Sequence, residues 1–187
     1  AGTDCSGTSA AATAVNNFSR IYGALWIQSA GNSGHAGSSC TLNDPAGATY
    51  AFPVGGLLQP ADFQNPFADH TTVQSGAIYS ASSRGGVPYL GGSRTVLGTA
   101  AAASQTLQPI GMPNSYGLYG IGTSFASPVV SGAAVDIRDW WLVNGPGLSY
   151  GTGFMNSPGF SIVQLLLMGD RTSESGADLV TGYDTLF

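Results

Sequence analysis

Between Ser9 and Gly34 the hydrophobic period of the chain changes once, from helical to continuous, and this constrains the fold more than any other feature. In Ser9–Tyr22 (SAAATAVNNFSRIY) the positions Ala12, Val15, Phe18 or Ser19, and Tyr22 share one helical face, with Ser6, Thr8 or Ser9 available as the cap. Gly23 stops the helix. Ala24–Ala30 (ALWIQSA) is then an apolar run of strand length, closed by the turn-forming Gly31-Asn32-Ser33-Gly34. A helix followed at once by a buried strand is the unit of a parallel α/β sheet. A length of 187 residues suits one domain, and 43 % hydrophobic content gives it a core to close on.

Further along, Thr49–Gly56 offers a second strand, weakened by Pro53 unless that residue sits at an end or edge. From Leu57 to Gly120 the Gly, Pro, Ser and Thr punctuation predicts loops, with short strands near Gly76–Ser80 and Thr95–Gly98. Ser124–Val143 (SFASPVVSGAAVDIRDWWLV) predicts a second helix with an apolar face through Val129, Ala133, Ile137, Trp140 and Trp141. Pro128 falls in its first turns, where a missing N–H costs least. A last helix is expected over Ser161–Met168, capped by Ser157 or Ser161 and stopped by Gly169.

Composition narrows the partners. Only 8 % of residues are charged, five Arg and ten Asp or Glu with no Lys, for a net charge of −5. Nucleic acids and anionic membranes are bound by basic patches, so neither is expected here. The longest strongly apolar run, Ile162–Met168, is far short of the roughly 20 residues of a spanning helix. The chain opens on Ala1 without a leader-like segment, which reads as a processed chain. Beside a Lys-free, acidic, Ser/Thr-rich composition, Cys5 and Cys40 read as one disulfide of a secreted or extracellular protein, bacterial periplasm included, with two separate buried thiols as the alternative. Such a bridge would stabilise the fold by roughly 3–4 kcal/mol in the chain-entropy description.

The chemistry concentrates in two segments. In Gly122-Thr123-Ser124-Phe125-Ala126-Ser127-Pro128 a serine stands where a Gly-containing turn becomes a helix. Unsatisfied N–H groups and the positive end of the helix dipole favour negative charge developing there. The position suits a nucleophile, and it equally suits a helix cap. Ser29-Ala30-Gly31-Asn32-Ser33-Gly34 follows a buried strand, and on its own it is ordinary turn composition.

The whole heptapeptide with its proline and the following Val129-Val130-Ser131-Gly132-Ala133-Ala134 resembles the active-serine motif of the subtilisin-like serine proteases (subtilases, peptidase family S8). The Ser29–Gly34 segment is similar to the one that carries their oxyanion asparagine, and it comes in the same chain order. The resemblance implies a three-layer α/β fold with a mostly parallel central sheet, of which residues 1–187 are the C-terminal portion. It implies Ser124 as acylating nucleophile, with the Asn32 amide and the Ser124 backbone N–H holding the oxyanion.

It also implies that Ser29, Ala30, Gly31, Asn43, Asp44 and Thr123 border the substrate, because Thr41–Pro45 stands in place of the loop closing the primary specificity pocket. An exposed Asp44 would favour a basic substrate side chain, although Asn-Asp-Pro is also plain turn chemistry. Tyr50–Gly56 resembles the next core strand and Ser80–Gly85 the serine-rich turn after it. The long spacing from Asn32 to Ser124 implies an insertion around Gln59–Gln74 or Leu97–Gly111. Within this frame Cys5 and Cys40 lie on the two segments walling the pocket.

One departure is decisive. The family's catalytic Asp and His motifs precede the asparagine segment, and neither is present; Asp4-Cys5-Ser6-Gly7 is not the aspartate motif, and His35 and His70 read as loop histidines. A serine hydroxyl without an adjacent base is a weak nucleophile, so this chain alone is expected to be inactive. The expected partner is an N-terminal chain of the same precursor, cut near Ala1, that supplies Asp and His through a shared sheet. Thr181–Phe187 resembles the approach to the family's terminal strand and helix, which implies a further C-terminal piece. The substrate is a peptide or protein.

No cofactor is needed for this chemistry. Structural Ca²⁺, common in the family, would call on Asp62 and Asp69 or Asp178 and Asp184, which form no dense ligand run, and the metal is left unassigned. Zinc is not expected, since neither the cysteines nor the histidines have ligand spacing. Two other readings stand beside the protease. One is a non-catalytic module binding peptides through the old cleft; the other is a serine carboxyl peptidase of the sedolisin type, which shares the Gly-Thr-Ser turn.

Overall fold

A computed structural model describes residues 5–34, 40–58, 78–85, 98–103, 107–109, 116–118, 120–144, 170–171 and 183–185. The helix α1 runs over Ala10–Tyr22, and its bounds follow from chemistry at both ends. Ser9 caps it by accepting from the Ala12 N–H at 2.9 Å, and Gly23 ends it in the left-handed conformation. Ala12, Val15 and Ser19 face inward, so Ser19 is the one of the two alternatives that lies on the expected face, while Tyr22 is exposed and departs from it. The Phe18 ring lies instead against Tyr22 and Trp26, with centroids 4.9 and 5.9 Å away.

The strands β1 (Trp26–Ser29), β2 (Ala51–Leu57) and β3 (Gly98–Ala102) pair in parallel, and β7 (Tyr183–Thr185) continues the sheet in parallel beyond β3. The short β6 (Asp170–Arg171) closes the far edge antiparallel to β7. The sheet order is therefore β1-β2-β3-β7-β6, with a separate antiparallel pair of β4 (Leu107–Pro109) and β5 (Tyr116–Leu118). Pro53 sits inside β2, between two neighbours, without costing a ladder bond. The Ala30 N–H reaches the Val54 carbonyl at 2.9 Å, so Val54 faces β1 and Pro53 by alternation faces β3. The ladder to β3 begins only at Val54, paired with Thr99.

Every residue of β2 is buried, as a strand covered on both faces requires. Phe52 and Val54 point to one side, where they meet Ala101, Ala103 and, from the helix α2 (Thr123–Asn144), Ala126 and Val130. Ala51 points to the other side, against Ala12, Val15 and Ala48. Leu57 also lies on that side, with Ala30, Leu42, Ala46, Ile78 and Ala100. Helix, sheet, and helix with loop make the three expected layers.

Val129, Ala133 and Ile137 of α2 pack on the sheet as expected, but Trp140 is 57 % exposed and departs from the expected apolar face. Phe52 is the largest side chain sealed between sheet and helix. Its replacement by alanine is expected to cost about 3–5 kcal/mol, read as a lower urea midpoint at unchanged slope.

Of the strands expected near Gly76–Ser80 and Thr95–Gly98, the first is a single antiparallel bridge from Ile78 to Leu57, and the second starts at Gly98 and runs on to Ala102. The helix expected at Ser161–Met168, the insertion at Gln59–Gln74, His35, His70, Asp62, Asp69 and Asp178 lie outside the described residues. Cys5 and Cys40 form a disulfide, 35 positions apart in sequence, with Cys5 packed against the Ala30–Leu42 cluster. Among the described residues no helix is long and apolar enough to cross a membrane.

Candidate active site

Where β1 leaves the sheet, three separate stretches of chain converge on residues 30–34. Ala30, fully buried, is held on both sides: its N–H donates to Val54 and its carbonyl accepts from the Asn43 N–H at 2.8 Å. Gly31 has φ +110°, a conformation that side chains rarely adopt. A Cβ there would also lie 2.6 Å from Asn43 Cγ and 2.8 Å from both Asn43 Nδ2 and Ser83 Oγ. Backbone conformation and space both require glycine at this position.

The other half of the site comes from a stretch 92 positions further along the chain. The Gly122 N–H donates to the Ala103 carbonyl at 2.8 Å, which pins the turn to the exit of β3, and α2 starts at the next residue. Phe125 closes this turn, its N–H reaching the Gly122 carbonyl at 3.0 Å and its ring covering Gly120, whose φ is +77°. Ser124 is thereby exposed in the first turn of α2, at the carboxyl ends of the parallel strands. Open α/β sheets present ligands at that edge.

Thr123 joins the halves. It is buried, and its Oγ1 accepts from the Gly31 N–H at 3.1 Å. Its backbone N–H and its hydroxyl both donate to Asn32 Oδ1, at 3.0 and 3.2 Å. A backbone N–H can only donate, so the atom of the Asn32 amide facing Thr123 is the oxygen, and the NH₂ group is left for the open side. A Cβ built on Gly122 would lie 3.1 Å from Asn32 Nδ2 and 3.5 Å from Ser124 Oγ. An amide donor and a hydroxyl therefore flank one small space that glycine keeps clear.

The remaining candidates divide. Ser29 and Asn43 are half-buried, Asn43 lying against Gly31, whereas Ala30 and Thr123 are buried. Asp44 is half-buried rather than exposed. Its Oδ1 accepts from Ser9 Oγ at 2.5 Å, which ties it to the N-terminus of α1, where a negative group complements the dipole. Two supports carry no signal of their own in the motifs: Ser83 beside Gly31, and the reciprocal pair in which Thr41 N–H meets Arg84 O at 2.8 Å and Arg84 N–H meets Thr41 Oγ1 at 2.7 Å. The serine-rich composition of residues 80–85 is the trace they leave in the sequence. Among the described residues no group of three or more His, Cys, Asp or Glu is placed to hold a metal.

Solved structures share this architecture. The prenylagaramide maturation protease PagA aligns with 97 % of the chain and 55 % of its own length, at TM-score 0.64 and 20 % identity. The self-cleaved protease domain of PatA aligns with 90 % of the chain and 49 % of its own length, at TM-score 0.56 and 21 % identity. Sphericase aligns with 84 % and 43 %, at TM-score 0.55 and 25 % identity. The chain thus spans about half the length of the structures it matches. No curated protein matches it significantly. A model of the subtilase family matches residues 2–141, from ahead of α1 through most of α2, and with the site geometry above this makes the chain a member of the subtilase family.

Proposed function

We propose that the chain is the C-terminal portion of a subtilase catalytic domain and works as part of a serine endopeptidase. The observation that carries this reading is the Asn32 amide, anchored through its oxygen on Thr123 so that its NH₂ group borders the same space as Ser124 Oγ. In the proposed reaction Ser124 Oγ attacks the scissile carbonyl while a histidine takes its proton. The oxyanion that forms accepts from Asn32 Nδ2 and the Ser124 backbone N–H. The protonated histidine then passes the proton to the departing amine, which leaves an ester on Ser124. Water, deprotonated by the same histidine, attacks that ester and restores the hydroxyl. None of these steps uses a cofactor.

The histidine and its orienting aspartate come, in this proposal, from an N-terminal chain or segment of the same precursor. Two features give it somewhere to dock. Among the described residues β1 has β2 on one edge and no strand on the other, and the neighbouring α1 exposes Phe18, Ile21 and Tyr22. The substrate is a peptide or protein, lying along Ser29–Gly31 with Asn43 beside it. The disulfide is in keeping with an oxidising, extracytoplasmic setting.

Treating the natural, undissociated protein with a fluorophosphonate probe and mapping the labelled peptide tests the assignment. Label on Ser124, lost when the partner is stripped away, is the expected result. No label with the partner demonstrably bound would favour the non-catalytic peptide-binding module.

A further inference from the structure

We infer that Ser83 is a positioning residue for the oxyanion amide; this rests on the role proposed for Asn32. Ser83 lies 50 positions beyond the asparagine loop and contributes two hydrogen bonds to it, one on each side of Asn32. Its backbone N–H donates to the Gly31 carbonyl at 2.9 Å. Its Oγ accepts from the Ser33 N–H at 3.0 Å. The residues before and after Asn32 are thus gripped by one and the same residue, while Thr123 holds the asparagine side chain from the opposite direction.

Ser83 is suited to act as a fixed post. It is fully buried, and so is Ser82, whose Oγ accepts from the Gly56 N–H of β2 at 3.1 Å. On the other side, Arg84 is paired with Thr41 through its backbone. Ser83 therefore stands between a core strand and the 40–45 loop. The loop it grips needs the support, since Gly31 has no side chain to restrain it and must hold φ +110°. The Ser33 N–H donates to that Oγ, so a residue without the oxygen loosens the far side of Asn32, where the next bond is one residue further on, from the Gly34 N–H to the Ala81 carbonyl at 2.9 Å. An oxyanion donor works by being in place before charge develops, and small displacements of such groups cost rate rather than binding.

The test uses the complete protein with its partner half and compares Ser83→Ala, Asn32→Ala and the double variant on one peptide substrate. Ser83→Ala is expected to lower kcat about tenfold with KM within about twofold, in line with loss of one positioning bond. In the Asn32→Ala background the same substitution is expected to cost less than about twofold, because the group it positions is gone. An unchanged kcat for Ser83→Ala, or the same tenfold cost in both backgrounds, would overturn the inference.

Ser83→Cys repeats the test at nearly unchanged volume with a poor acceptor, so it serves if the alanine variant does not fold. A kcat equal to wild type there would also overturn the inference. If Asn32→Ala itself costs less than tenfold, the oxyanion assignment fails, a result distinct from failure of Ser83 alone.

Discussion

Ser124→Ala is expected to lower kcat about a millionfold in the complete protein, abolish fluorophosphonate labelling, and leave the unfolding midpoint unchanged. The magnitude is the one known for loss of the nucleophile in subtilases and is not calculated from this chain. The unchanged stability follows from position. Ser124 is exposed in the first turn of α2, and replacing an exposed side chain away from packing or caps alters stability by about 0.5 kcal/mol or less. A large loss of activity with an unmoved urea midpoint separates a reacting group from a structural one. Equal turnover by the variant would end the protease reading.

Asn32→Ala is expected to cost roughly a hundredfold to a thousandfold in kcat, again a magnitude carried over from subtilases. Unlike the serine, this residue also supports the fold. Its Oδ1 accepts from both the N–H and the hydroxyl of buried Thr123, and removing it leaves donors unsatisfied at a cost of about 1–3 kcal/mol. Asn32→Asp separates the two effects. It keeps an oxygen for Thr123, so stability is retained, but it places a carboxylate where negative charge must form, so kcat falls at least as far. Stability is read from denaturant midpoints and kcat from steady-state turnover; an Asp variant with near-normal kcat would remove Asn32 from the oxyanion site.

The parts of this molecule that were legible beforehand are those where a side chain itself marks the backbone. Ser9 and Gly23 bracket α1 because each performs a local task, and the Gly-Thr-Ser turn announces α2 in the same way. Of β3 only the first residue fell within the expected strand, because Gly98–Ala102 has the composition of a linker. Its smallness has a packing cause: Ala101 and Ala103 sit directly under Ala126 and Val130 of α2. Ser19 rather than Phe18 faces inward because the surface opposite α1 is built of Ala48 and Ala51, and helical periodicity cannot choose between adjacent positions. At the site, Ser124 and Asn32 were legible as motifs. The Ser83 brace was not, since the groups it holds, the Gly31 carbonyl and the Ser33 N–H, are backbone groups far away in the chain.

The bonds described around Asn32 and Ser124 are made by an amide, hydroxyls and peptide groups; the Arg84 pairing with Thr41 runs through the arginine backbone. Nothing in that framework changes charge across the working range of a protease, and little in it is weakened by added salt. In the proposed assembly the pH profile would then follow the histidine that acts as base rather than the groups that hold the amide and the hydroxyl in place. A shift in that profile between related assemblies would report on that base and its surroundings, not on the bonds that anchor Asn32.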